Sequence, residues 1–530
     1  MRSKKFLCVA LSAILALGLV GCGGATTENT SGTGEKTEQV SKKDGGTMVF
    51  SASTDPTSLN PFFQENRVTY TVNNALFSPL FVVDKDSTTY YLAEKMDVSD
   101  DKLTYTIKLR DNLKWHDGEK ITADDVVFTV KTAQDEKQGI PDRESYVIDG
   151  KPIEVKKIDD LTVEFKLPQP YGPFDSNIGS MKPIPKHIFE GVENIAKSEK
   201  NNNPVGSGPF KFKEWKKGES LTLVRFDDYF SGKPHLDSVV YRIIPDNNTA
   251  KIAFENGEVS ASYLSEENFE KFSEDPKFKT YSFEEGMLEY MIFNEKNEAL
   301  KKPEVRQAIS YGLDKEELLK TEYKNLENTQ PANSIIAPTT KYYTNDVKKY
   351  DYNIEKAKEL LKKAGVENLK LKFEYVKGKD DNIVMLVQQK LKEIGIEVDL
   401  VTIDDNAFFD KLTGKADRDY DLILNGYVMG VDPAGYASAY ETGGVFNAEN
   451  YSNPEMDKLW KEGAREVNDD KRKEIYEKIQ KELAEQAVIY PIQYTESFVG
   501  IDSKFGGVEE AKLVPIYMFQ DLSKIYIIDK

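Results

Sequence analysis

The sequence predicts an α/β protein of two or three domains, on three observations. Strand-like and helix-like patterns alternate along the 530 residues. One stretch, 353–403, reads as a complete βαβ unit. The part of the chain able to fold, about 480 residues, is too long to organise around one core.

In the βαβ unit, Asn353 caps a helix whose apolar face is Ala357, Leu360, Leu361 and Ala364, and Gly365 ends it. A strand over 369–376, a helix over 382–394 stopped by Gly395, and a strand over 396–403 follow. Parallel strands need such a helical crossover. Earlier, 104–109 alternates as a strand, and Thr122-Ala123-Asp124-Asp125 has the capping-box pattern that opens a helix to 132. Segments 153–156 and 161–167 flank Asp159-Asp160 as a hairpin. Segments 454–464 and 469–487 read as amphipathic helices, followed by a buried run at 488–492. No repeat of fixed period is present.

The N-terminus is a targeting pattern. Arg2, Lys4 and Lys5 precede an apolar run over 6–20, too short for a resident membrane helix. Leu19-Val20-Gly21-Cys22 resembles the lipobox of bacterial lipoproteins, in which the cysteine is diacylated and becomes the first residue. The expectation is a signal peptide at 1–21, lipid on Cys22, and a protein anchored to the outer face of the cytoplasmic membrane; two acyl chains suffice for a stable anchor. Residues 22–46 are Gly, Thr, Ser, Glu and Lys with little to bury, and read as a flexible tether. Cys8 leaves with the signal, so no thiol remains for a nucleophile, a zinc site or an iron–sulfur cluster.

The net charge of −19 disfavours nucleic acid and anionic lipid surfaces as partners. Catalytic signatures are missing too. His116, His187 and His235 lie in separate segments without metal-pair spacing, and the Gly-Lys pairs at 150, 232, 378 and 414 lack the rest of a P-loop. No serine sits in a Gly-x-Ser-x-Gly elbow. The expectation is a binding protein, without cofactor and without catalysis.

Longer strings carry a resemblance. Leu109-Arg110-Asp111-Asn112-Leu113-Lys114-Trp115-His116-Asp117-Gly118 with the capping box, Asn203 to Phe210 (Asn-Pro-Val-Gly-Ser-Gly-Pro-Phe), Arg225 to Phe230, Pro303 to Ala308 and Tyr451 to Asp457 occur in the order found in the family 5 solute-binding proteins. That family holds the oligopeptide-, dipeptide- and nickel-binding components of ABC importers. The resemblance covers 50–530 and implies a periplasmic-binding-protein-like type II two-lobed clamp with an extra inserted domain (cluster C). Lobe I would comprise 47–90, 207–290 and 496–530, the inserted domain 91–206, and lobe II 291–495. Two strands crossing near 290 and 495 would form a hinge, and closure would present the protein, a monomer, to permease subunits in the membrane.

The resemblance also implies an oligopeptide ligand, held extended by main-chain pairing in the interlobe cleft. Asp55, Pro56 and Thr57 align with the contacts of the first lobe. Tyr427, Val428, Met429, Gly430, Val431 and Asp432 align with those of the second. Where relatives carry an aspartate for the ligand's α-ammonium, this sequence has Met429; either that anchor is absent or Asp432 replaces it. Tyr146, Tyr263, Tyr436 and Tyr494 lie in segments that approach the cleft in relatives, and tyrosine suits varied side chains in wet pockets. A nickel chelate, haem or oligosaccharide in the same fold, or a signalling-peptide receptor, stand as alternatives.

Overall fold

A computed structural model describes residues 41–323, 326, 329–428 and 430–529. The signal peptide, Cys22, most of the expected tether and Met429 lie outside them. Among the described residues no helix is long and apolar enough to cross a membrane.

The centre of the fold is an eleven-stranded mixed sheet held together by two long strands, Phe278–Phe293 and Ile489–Asp502. They pair antiparallel from Phe278↔Asp502 to Glu284↔Glu496, lose register, and resume at Leu288↔Tyr494. Three residues, Glu285, Gly286 and Met287, thus oppose Thr495 in a bulge, with Gly286 at φ 71° where a side chain would be strained. On one side of the bulge the strands join Ala261–Leu264, Thr47–Ala52, Ser238–Ile243, Ser220–Arg225 and Phe210–Lys216. On the other side they join Leu422–Val428, Lys370–Val376 and Glu397–Ile403. The crossings expected near 290 and 495 are these two strands.

The sheet halves have separate cores. The first draws on Met48, Val72, Leu223, Val499 and Ile525. The second half is covered by two clusters, one around Trp460, Tyr436 and Tyr476, the other around Phe373, Val387 and Leu391. A further core belongs to the inserted region, where Ala93–Val98, Thr104–Leu109, Thr162–Lys166 and Glu154–Asp159 form an antiparallel sheet under the helix Ala123–Gln134. That helix carries the expected capping box, with Asp125 reaching back to Thr122 N at 2.9 Å. The predicted βαβ unit forms with Lys370–Val376 and Glu397–Ile403 parallel, and with Asn353 and Gly365 as caps.

Two boundaries differ from the sequence reading. Described structure precedes 47: Ser41–Lys43 pairs with the C-terminal strand Tyr526–Asp529, and Gly46 N donates to Asp237. Their polar composition hid a backbone-only ladder. The inserted core also reaches back past 91, since Leu80 and Phe81 pack with Leu92 and Trp115.

Candidate functional site

The first half of the sheet offers a wall to the cleft through the helix Arg67–Leu76 and the loop around Ile516–Met518. Asn66 caps that helix through Thr69 N at 2.9 Å. Arg67 on its exposed face reaches the bulge, with Nη2 2.5 Å from Glu285 Oε1, and stacks on Tyr263 at 4.9 Å. Ser497 hydrogen-bonds the other oxygen of Glu285. A buried carboxylate in the bulge is thus held by one residue from the wall and one from the second crossing strand. Ile516 and Met518 both sit at φ 67°, a left-handed geometry uncommon for any residue but glycine and most strained for the β-branched Ile516. That geometry presents Tyr517 to the cleft, and Thr71 Oγ1 fixes it by donating to Ile516 O at 3.0 Å.

Two cavities flank this wall. One, about 700 Å³, lies along Arg67, Tyr263, Asn268, Glu496 and Met518. The other, about 570 Å³, is bounded by Tyr70 and Tyr517 from the wall, Asp142, Tyr146 and Lys182 from the inserted region, and Phe446 from the second half. Phe446 is 54% exposed, a large apolar side chain standing at the rim. The second cavity is therefore assembled from all three parts of the fold.

The strand Leu422–Val428 belongs to the second half of the sheet. One edge pairs with Met287–Phe293 along its whole length, while the other edge meets Lys370–Val376 only at Leu422 and Ile423. From Leu424 to Val428 that edge has no ladder partner among the described residues. Beyond it, the Gly430 and Val431 carbonyls are taken by Thr340 Oγ1 at 2.9 Å and Lys341 N at 2.9 Å.

Several sequence-predicted residues turn out to hold the scaffold. Asp432 is 8% exposed and forms a two-pronged pair with Arg472, both contacts at 2.8 Å, while capping Ala434 N. It is no free anchor for an ammonium group; the guanidinium, 5.6 and 5.3 Å from the ring centres of the stacked Tyr342 and Tyr476 and donating to Gly463 O, has claimed it. Tyr436 and Tyr494 are core residues: the Tyr436 hydroxyl accepts from Ala337 N at 3.1 Å, and that of Tyr494 accepts from Ser334 N at 3.1 Å. Both oxygens of Asp55 are engaged, by Trp215 Nε1 at 2.7 Å and Gly218 N at 2.8 Å. Pro56 is buried and Thr57 N donates to Thr69. Tyr146 is buried in the inserted core yet borders the 570 Å³ cavity, and Tyr263, 37% exposed, lines the larger one. The histidines are structural. His116 Nδ1 accepts from Gly206 N, so Nε2 carries the proton toward Gly208 O, and burial holds its pKa at about 4. His187 and His235 bond Asp117 and Asp44.

Sequence reasoning missed Lys182, Tyr517, Phe446 and the docking of the inserted region on the second half. In that docking Gly172 N donates to Ala464 O at 2.8 Å, and Arg465 meets Asp149 at 2.6 Å. Lys182 had one available signal: a charged residue inside Met181-Lys182-Pro183-Ile184-Pro185, where all else is apolar.

Two sheet halves joined by a pair of crossing strands around a cleft, with a third region inserted, define a solute-binding clamp of the type II class. Residues 88–447 match the model of the bacterial extracellular solute-binding proteins, family 5. The oligopeptide-binding protein AppA of Bacillus subtilis is 31% identical over 525 residues, 92% of this chain and 94% of that protein. Among solved structures, the ABC transporter substrate-binding protein CtaP of Listeria monocytogenes superposes with a TM-score of 0.88 at 45% identity, covering 92% of this chain and all of that one. Bacillus subtilis AppA in complex with a nonapeptide gives 0.78 at 28% identity, with 92% and 100% covered. The chain belongs to the family 5 bacterial extracellular solute-binding proteins.

Proposed function

We propose that this protein is the receptor of an ABC importer, catalysing nothing, and that its ligands are oligopeptides. The observation that carries the ligand class is the strand edge over 424–428, which has no ladder partner among the described residues, in a fold whose first half and inserted region also bound cavities of about 700 and 570 Å³. An exposed strand edge takes an extended main chain through its own N–H and C=O groups, whatever the ligand's side chains. The description of the Bacillus subtilis relative with a nonapeptide supports the same reading. Tyr427, Val428 and Gly430 belong to that edge and its exit, and Tyr263 and Tyr146 to the cavity walls.

The domain division belongs to this proposal: a discontinuous first lobe at 47–90, 207–290 and 496–530, an inserted domain at 91–206 and a second lobe at 291–495. It carries two adjustments, a strand at Ser41–Lys43 ahead of the first lobe and an inserted core reaching back to Leu80. Ligand closes the lobes about the bulge at Glu285–Met287 and Thr495, and the closed monomer docks on permease subunits. Lipid on Cys22 holds it at the outer face of the cytoplasmic membrane.

The test is mass spectrometry of the small molecules released on denaturing natively purified protein. A set of peptides of related length is the expected result; a metal chelate or a sugar would overturn the ligand class while leaving the family untouched.

A further inference from the structure

An ammonium group buried without a counter-charge is costly, so interior lysines ordinarily carry a carboxylate partner. Lys390 with Glu317 at 2.6 Å and Lys411 with Glu374 at 2.7 Å obey that rule. Lys182 does not. The residue is 8% exposed, and among the described residues its Nζ meets no carboxylate. Its partners are Asn74 Oδ1, at a long 3.3 Å, and the face of Tyr517 at 5.0 Å. Burial alone draws its pKa down to about 7.

Lys315 supplies the comparison, since burial lowers it equally. Its Nζ is spent on the Ala332 carbonyl and on Asn333, and the void beside it is only about 10 Å³. That lysine is a structural strut. Lys182 instead faces the 570 Å³ cavity with most of its donor capacity unused. The one carboxylate lining that space, Asp142, accepts from Ser145 Oγ at 2.7 Å rather than from Lys182. Tyr70, Asn177 and Ser180 add hydroxyl and amide groups to the same wall.

We propose that Lys182 is the receptor for a carboxylate of the bound ligand, with Nζ donating to the anion between Tyr70 and Tyr517. The inference rests on the peptide reading and deepens it, because a peptide offers that group at its C-terminus or on an acidic side chain. With the C-terminal carboxylate as that anion, it also assigns polarity to the bound chain. Asp432 is committed to Arg472, so in that case the fixed end of the peptide is the carboxyl end.

The test is calorimetric titration of the full chain with a neutral-side-chain heptapeptide in three forms: free acid, C-terminal carboxamide, and carboxamide with one glutamate. Wild type should bind the free acid at least tenfold tighter than the plain carboxamide. Lys182→Met should bring the acid down to the carboxamide's affinity and change the carboxamide less than twofold. Recovery of affinity by the glutamate-bearing carboxamide assigns the anion to a side chain, and its failure assigns it to the C-terminus. Equal affinity of wild type for all three forms overturns the role of Lys182 and leaves the peptide reading standing. Binding of none of the three overturns both. The wild-type comparison needs no variant, and a melting temperature for Lys182→Met at or above that of wild type excludes a folding artefact.

Discussion

Replacing Asp432 by alanine separates its structural role from a ligand-binding one. Its partner, the Arg472 guanidinium, has a side chain 6% exposed, and that of Asp432 is 9% exposed, so solvent cannot take over the lost contacts. Removing one partner of such a pair leaves a buried charge uncompensated and costs about 3–5 kcal/mol. An unfolding entropy of about 2.1 cal/mol/K per residue gives about 1 kcal/mol/K for 41–530 if the fold melts in one step. The expected fall in melting temperature is therefore about 3–5 °C, and larger if the second half melts alone. The assay is differential scanning calorimetry with peptide titration of the same variant. Asp432→Leu with Arg472→Met should restore most of the loss, since no charge is then stranded. A fall below about 1 °C with a large loss of peptide affinity would refute this reasoning and return Asp432 to the cleft as an anchor.

Gly172→Ala should weaken peptide binding severalfold without lowering the melting temperature of the free protein. A Cβ there would lie 2.5 Å from the Arg472 guanidinium carbon, which Asp432 pins in place, so the inserted region must back away from the second half; unchanged affinity and an unchanged small-angle scattering profile would count against it. Glu449→Gln should gain stability over wild type as pH rises. Glu449 is fully buried with neither carboxyl oxygen hydrogen-bonded among the described residues, and burial pushes its pKa up to about 8 from 4.5. The folded state keeps a proton the unfolded state releases, so wild-type stability falls by about 1.4 kcal/mol per pH unit between those values. Urea titrations from pH 5 to 8 should show the variant losing that slope; a constant difference would contradict the assignment.

The local architecture was legible because its signals are local. Thr122 with Asp125, Asn353 with Gly365, and the alternation at 104–109 each declare an element within a few residues. The cleft is another matter. Tyr436 and Tyr494 sit in cleft-forming segments, yet their hydroxyls satisfy backbone groups at Ala337 and Ser334, about a hundred or more residues earlier in the chain. Asp432 was singled out as the one carboxylate in its neighbourhood, but its partner lies 40 residues on, in a helix with no motif to mark it. Lys182, Tyr517 and Phe446 come from three distant segments, and only the assembled fold shows that they share a space.

The small sheet that joins Ser41–Lys43 to Tyr526–Asp529 belongs to a wider pattern with a consequence for biogenesis. The first core takes Met48 and Phe50 from near the start of the described residues and Phe519, Leu522 and Ile525 from near their end. The fully buried residues of the inserted core, by contrast, come from one continuous stretch, Leu80 to Met181. A chain emerging N-terminus first can complete the inserted core while more than half its length is still to come. The first core must wait for the last residues, and closing so long a loop is the slow kind of contact. The half that carries the Arg67 wall of the cleft is therefore the last to be finished, and receptor competence arrives only with the C-terminus.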